Sequence, residues 1–178
     1  MGAVAGDKVL PGVVRQVGYV VRDIDAAIAS WLELGVGPWF VIRDQVQSGT
    51  YRGEPCTVTL SIAFSNTGEM QLELIQQQDD APSVYREFLD SGREGYNQLA
   101  WWTPDFDATM QAIAERGWPV VWAGGEDTST RYAYVEQPDG PAAIVEIMEL
   151  NDLTRGLDGL LRGAATDWDG TDPIRSLG

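Results

Sequence analysis

Sliding the 178-residue sequence along itself by 82 positions lays residues 16–35, QVGYVVRDIDAAIASWLELG, on residues 98–117, QLAWWTPDFDATMQAIAERG, without a gap. Gln16 meets Gln98, Asp23 meets Asp105, Asp25 meets Asp107, Ala26 meets Ala108 and Gly35 meets Gly117. Between these landmarks the apolar positions also correspond: Val20 with Trp102, Ile24 with Phe106, Ile28 with Met110. Such a duplication constrains the fold strongly. Two copies of one unit make a pseudo-symmetric domain in which each copy covers the other's apolar face.

Each copy reads as a strand followed by a helix. Val13–Val21 and Tyr96–Thr103 are β-branched or aromatic runs too short for a helix. Asp23 and Asp105 stand where a carboxylate caps free backbone N–H groups, and Gly35 and Gly117 stand where left-handed residues close helices. Three strand candidates follow each helix: Trp39–Val46, Thr57–Phe64 and Met70–Gln76, then Pro119–Ala123, Arg131–Glu136 and Ala142–Leu150. In the first copy the turns are expected at Ser48–Pro55 and Ser65–Glu69. The expected fold class is therefore α+β, with two tandem β-α-β-β-β modules. An extension (1–12) precedes the first module (13–78), and a connector helix (79–95) leads to the second (96–150). A helix and polar tail (151–178) follow, with Leu153, Leu157, Leu160 and Leu161 as the stripe, expected to pack on the surface or on a partner subunit.

Composition then removes whole classes of function. A formal charge of −15, from 12 basic and 27 acidic side chains, argues against a nucleic-acid partner, which needs Lys and Arg to neutralise phosphates. The sequence has no histidine, which excludes Ser-His-Asp triads, Cys-His pairs and imidazole metal ligands together. The lone Cys56 cannot form an internal disulfide and fits a reducing cytoplasm. No apolar run approaches the ~20 residues of a membrane helix, and the opening MGAVAGDKVLPGVV lacks the basic start and apolar core of a secretory signal. A cytoplasmic protein with no membrane partner is expected.

The phrases VRQVGYVVRDIDAAI, MQLELI, YNQLAWWTPDFDATM and PDGPAAIVEIMEL, in a duplicated β-α-β-β-β order, resemble the vicinal oxygen chelate superfamily. That superfamily includes glyoxalase, epimerase, extradiol dioxygenase and bleomycin-resistance branches, and the glyoxalase I and methylmalonyl-CoA epimerase branch matches best. The resemblance implies that the modules curl into a U-shaped half-barrel cleft, commonly paired as a homodimer. It also implies a divalent metal held by four side chains. The first-strand ligand, His or sometimes Gln, lies seven residues before the Asp that opens the helix, the position of Gln16 and Gln98. The last-strand ligand is a Glu in an apolar strand, matched by Glu73 and Glu146.

The departure lies in the two glutamines. Gln16, Glu73, Gln98 and Glu146 form an oxygen-only set, suited to Mg, Mn or Ca and poor for zinc or iron. Strand alternation places Gln71 beside Glu73, Trp102 beside Gln98 and Met148 beside Glu146 on the cleft face, giving apolar walls with a few convergent polar groups. The loop AGGEDTSTRYAY offers a lid with Gly124 and Gly125 as hinges, and Arg131 as a partner for an anionic ligand group. Trp39, Trp101, Trp118 and Trp122 are assigned to packing. Two functions are open on this reading. One is a small-molecule isomerase or lyase in which Glu73 and Glu146 move a proton next to a carbonyl while Gln16 and Gln98 hold the oxyanion. The other is a metal-free binder that sequesters an aromatic ligand.

Overall fold

In the computed structural model, which describes residues 8–126 and 130–177, both copies of the repeat build the same unit. In chain order the elements of the first are β1 (Val14–Val20), α1 (Ile24–Glu33), β2 (Trp39–Tyr51), β3 (Glu54–Thr67) and β4 (Met70–Gln77). After α2 (Val84–Asp90) come β5 (Gly95–Thr103), α3 (Phe106–Glu115), β6 (Val120–Gly124), β7 (Tyr132–Val135) and β8 (Ile144–Glu149). The chain ends with α4 (Asp152–Ala165) and β9 (Ile174–Ser176). Asp23 and Asp105 cap α1 and α3 as expected, each accepting from the backbone N–H three residues on, and Gly35 and Gly117 follow the helices at positive φ.

The strands form one sheet in the order β3-β4-β1-β5-β8-β7-β6-β2-β9, and β2 pairs again with β3. That second pairing closes the sheet into a barrel, half from each unit. The halves meet at two seams. One is the long antiparallel pairing of β1 with β5, and the other is a three-residue pairing of β2 with β6. At the short seam Gly49 lies opposite Gly124, and a Cβ on Gly49 would stand 2.4 Å from the Ala123 carbonyl oxygen. Only a residue without a side chain lets these two strands approach.

Alternation sorts the side chains into layers. Leu72 and Leu74 of β4 face outward and pack with Ile24, Ile28 and Trp39 under α1. Val145 and Ile147 of β8 do the same with Ile113, Trp101 and Trp118 under α3. Between them Gln71, Glu73, Ile75, Ile144 and Glu146 turn inward and are all buried.

Two differences from the sequence reading have clear causes. The first hairpin has no broad turn at Ser48–Pro55. Its strands continue to Tyr51 and Glu54, and Arg52 and Gly53, both at positive φ, make the reversal alone. The C-terminal helix buries only part of its leucine stripe. In α4, Thr154, Asp158 and Leu161 are buried and Leu157 is half-buried, whereas Leu153 and Leu160 are exposed. Leu161 joins Phe40, Phe64, Leu60 and Ile75 in the inner cluster, so the helix roofs one end of the barrel. Val84, Tyr85 and Phe88 of α2 close the end where β8 begins. The polar tail then returns as β9, parallel to the start of β2. None of the described helices is long and apolar enough to cross a membrane.

This roof gives a direct test. Leu161→Ala should lower the unfolding free energy by about 2–5 kcal/mol in urea titrations followed by tryptophan fluorescence. Leu160→Ala, one residue away but half exposed, should stay within about 0.5 kcal/mol of the parent.

Candidate functional site

Two rungs of side chains cross the barrel floor. Gln71 lies opposite Gln16, Gln16 opposite Ala100 and Ala100 opposite Glu146. In the neighbouring rung Glu73 lies opposite Gly18 and Gly18 opposite Gln98. A Cβ on Gly18 would stand 2.3 Å from Gln98 Cγ, so the bare backbone there is the space in which the Gln98 side chain lies. Ladder register and one glycine thus bring together four residues far apart in the chain.

The resulting cluster is buried and mutually bonded. The Gln98 amide nitrogen donates to Glu73 Oε2 at 3.0 Å and to Glu146 Oε2 at 2.9 Å, with the Tyr134 hydroxyl 3.3 Å away. With its amide nitrogen turned to the carboxylates, Gln16 donates to the same two oxygens at 3.3 and 3.2 Å. Its other end meets the Gln71 amide at 2.6 Å. Tyr85 donates to Tyr134 at 3.1 Å, extending the polar chain towards α2.

Burial dominates the electrostatics. Loss of water pushes the Glu73 carboxyl well above its ordinary value of 4.5, the charge on Glu146 adding to the shift and the Gln98 hydrogen bond opposing it. Desolvation lifts Glu146 to about 7, again against the Gln98 hydrogen bond. The two carboxyls therefore hold a proton between them around neutral pH. The buried Tyr134 and Tyr85 hydroxyls are raised well above 10.0, chiefly by burial, and stay protonated.

The donor set can also be tested against a metal. Among the described residues no three His, Cys, Asp or Glu side chains converge, so an ion would depend on the amides. The amide and carboxylate heads stand 2.9–3.3 Å apart. The Gln98 amide oxygen is buried without a partner, and turning the amides inward would add two oxygens to the carboxylates. The four residues fit Mg, Mn or Ca and, lacking imidazole, do not fit zinc or iron.

Under α4 lies a cavity of about 250 Å³ that meets the cluster at Gln71. Gln71 is on its floor, Trp102, Met148 and Phe64 form its walls, and Leu153, Thr154 and Leu157 of α4 form its roof. Arg131 is not among the residues of this cavity; it borders a different one, with Phe106, Met110 and Tyr132. It precedes the inward Tyr132 and follows strand alternation outward, where it bonds Asp107 at 2.8 Å and Glu149 at 2.9 Å and stacks on Phe106. Both carboxylates hold it beside that second space. Gly124 ends β6, and part of the expected lid, residues 127–129, lies outside the described residues. Cys56 bonds the Pro82 carbonyl, and burial raises its thiol, as suits a structural group. Tyr134 and Tyr85 were not singled out from sequence. The alternation in RYAYV, which turns Tyr132 and Tyr134 to one face, was the available signal for Tyr134.

A curved α+β barrel of two repeated units, with four polar residues converging inside it, defines a class that comparison with known proteins makes specific. The family described as Glyoxalase/Bleomycin resistance protein/Dioxygenase superfamily matches residues 15–134, and the chain belongs to it. Among solved structures, methylmalonyl-CoA epimerase from Mycobacterium tuberculosis is 21% identical, with a TM-score of 0.57 over 86% of this chain and 97% of that one. A Streptomyces coelicolor methylmalonyl-CoA epimerase variant in complex with 2-nitronate-propionyl-CoA is 18% identical, with a TM-score of 0.57 over 79% and 95%. A hypothetical protein from Bacillus halodurans C-125 is 14% identical, with a TM-score of 0.54 over 79% and 95%. None of the curated proteins compared with the chain matches it in sequence.

The raised carboxyls fix the sign of a pH dependence. Because their folded values exceed the unfolded one, the folded state binds more protons between about 4.5 and about 7. The stability they contribute is complete below that window and is lost as pH rises through it. Melting temperature should therefore fall from about pH 5 to about pH 8, and Glu73→Gln should flatten the slope. An unchanged slope in the variant would remove the shared-proton assignment.

Proposed function

We propose that the protein is an isomerase of this superfamily that moves a proton next to the carbonyl of a small acyl or 2-oxo compound through an enolate. The observation that carries this reading is the pair Glu73 and Glu146, buried on separate strands and linked through the single amide of Gln98. With one proton between them, one carboxylate is a base and the other a ready acid. Raised pKa values make the ionised member basic enough to take a proton from carbon near neutral pH.

The amides of Gln16 and Gln98 supply what an enolate needs. Their N–H groups face a dry, fixed point, so charge developing on the substrate oxygen meets preorganised donors. In the resting cluster those donors are occupied by the carboxylates, and substrate oxygen replaces one carboxylate as acceptor when that group swings to the carbon. The Tyr134 hydroxyl, 3.3 Å from Gln98, holds the amide plane in place. The apolar walls of Trp102, Met148 and Phe64 exclude bulk water and keep the enolate from being protonated at random by solvent. When a hard divalent ion is bound by Gln16, Glu73, Gln98 and Glu146, it supplies Lewis-acid polarisation of the carbonyl. Similar solved structures are methylmalonyl-CoA epimerases in complex with methylmalonyl-CoA or 2-nitronate-propionyl-CoA, which supports acyl thioesters as the first substrates to try.

The test is solvent-deuterium incorporation into a panel of 2-substituted acyl thioesters and 2-oxo acids, measured by mass spectrometry with EDTA and with added Mg or Mn. Glu73→Gln and Glu146→Gln should each slow exchange by about 10²–10⁴-fold. Exchange that survives both substitutions would remove the acid–base assignment.

A further inference from the structure

Trp102 lines a second cavity, of about 270 Å³, as well as the one above Gln71. The second cavity is bordered by Arg15, Arg155 and Asp158, with Val13 and Leu150 at its edge. Its charge is unusual for this chain. Most other arginines are committed: Arg22, Arg43, Arg52, Arg86, Arg131 and Arg162 each pair with a carboxylate. Here two guanidiniums face the same space, and Arg155, exposed on α4, has no ion pair among the described residues. Asp158 is shared between Arg15 at 3.2 Å and Arg162 at 3.6 Å.

Local geometry shows how Arg15 comes to be there. β1 carries one extra residue between the pairs Val14↔Trp101 and Gln16↔Ala100, and that residue is Arg15. The bulge lets its side chain turn to the cleft side of the sheet, with its guanidinium carbon 4.8 Å from the centre of the Trp102 ring. Two buried groups in this corner, Arg15 Nε and Trp102 Nε1, have no hydrogen-bond partner. Both are donors. A buried donor without an acceptor costs free energy, and two of them beside a free guanidinium call for an oxyanion.

We propose that this cavity is the subsite for an anionic tail of the substrate, a carboxylate or phosphate held by Arg155 and Arg15 while the carbonyl end occupies the chamber above Gln71. The proposal rests on the reading of Glu73 and Glu146 as the reaction centre, and it names the substrate class: acyl compounds with an oxyanion on the far side of Trp102. The anion replaces the missing acceptors, and Asp158 limits its affinity by like charge. The subsite takes the role that the sequence suggested for Arg131.

The experiment uses ¹⁵N-labelled full-length protein and the indole N–H signal of Trp102, assigned with Trp102→Phe. Malonate, inorganic pyrophosphate and uncharged malonamide are titrated at constant ionic strength. Malonate or pyrophosphate should shift the signal saturably and malonamide should not; whichever anion binds identifies a carboxylate or a phosphate tail. Arg155→Gln and Arg15→Gln should each weaken binding about tenfold, and Asp158→Asn should tighten it. Arg155 is exposed and unpaired, so its substitution decides the matter even if Arg15→Gln disturbs folding. No saturable shift with either anion, an equal shift with malonamide, or unchanged affinity in Arg155→Gln would overturn the proposal. Anion binding in a protein that catalyses no exchange leaves the subsite standing and removes the enolate reading; exchange without anion binding does the reverse.

Discussion

The rest of the molecule is arranged around two carboxyls brought to within hydrogen-bonding distance of one amide nitrogen, out of water. Burying even one ionised carboxylate is costly, and burying two side by side is more so. The Gln98 bridge between Glu73 and Glu146 makes the arrangement tolerable, because one amide nitrogen faces both and a proton can remain on the pair. That bridge has a steric condition. Gln98 crosses over β1 only because residue 18 is glycine. A side chain there would force the amide aside and leave the two carboxyls with the longer Gln16 contacts as their amide donors.

Glutamine at positions 16 and 98, where the resemblance implied histidine, also moves the titration. An imidazole would change charge near neutral pH, whereas an amide does not ionise at all. All of the proton-dependent behaviour of the cluster thus rests on the carboxyls and, far higher, on the buried Tyr134 and Tyr85. The barrel closes at its short seam through Gly49 and Gly124, and α2 and α4 cover its ends, so the low-dielectric surroundings that raise the carboxyls are a property of the whole fold.

The repeat made much of this legible before any coordinates. Asp23 and Asp105 signalled helix starts because capping is a local interaction, readable from a few neighbouring residues. Alternation placed Gln71, Gln98, Trp102 and Met148 on the inner face because strand period survives any choice of partner. What escaped was set by non-local geometry. The Leu153–Leu161 stripe looked amphipathic, but which leucines are buried depends on the barrel end beneath α4. Arg131 looked free because Asp107 and Glu149, which hold it, come from α3 and β8. Tyr85 lies in the connector, and nothing nearby in sequence marks its hydroxyl as a partner for Tyr134.

Acidity of the whole chain sharpens the meaning of the few basic groups. In a molecule with net charge −15, an arginine is most readily explained by a nearby carboxylate, and most of them have one. A guanidinium left unpaired next to a buried, partnerless indole N–H departs from that pattern at one place only among the described residues that border a cavity reaching Trp102. The same tryptophan walls the cavity that reaches Gln71, so the two spaces share an aromatic partition. Any shift of α4 moves Arg155, Asp158 and the roof residues Leu153 and Leu157 together, because all four lie on that helix. One helix thus carries both the basic group of one cavity and the apolar roof of the other.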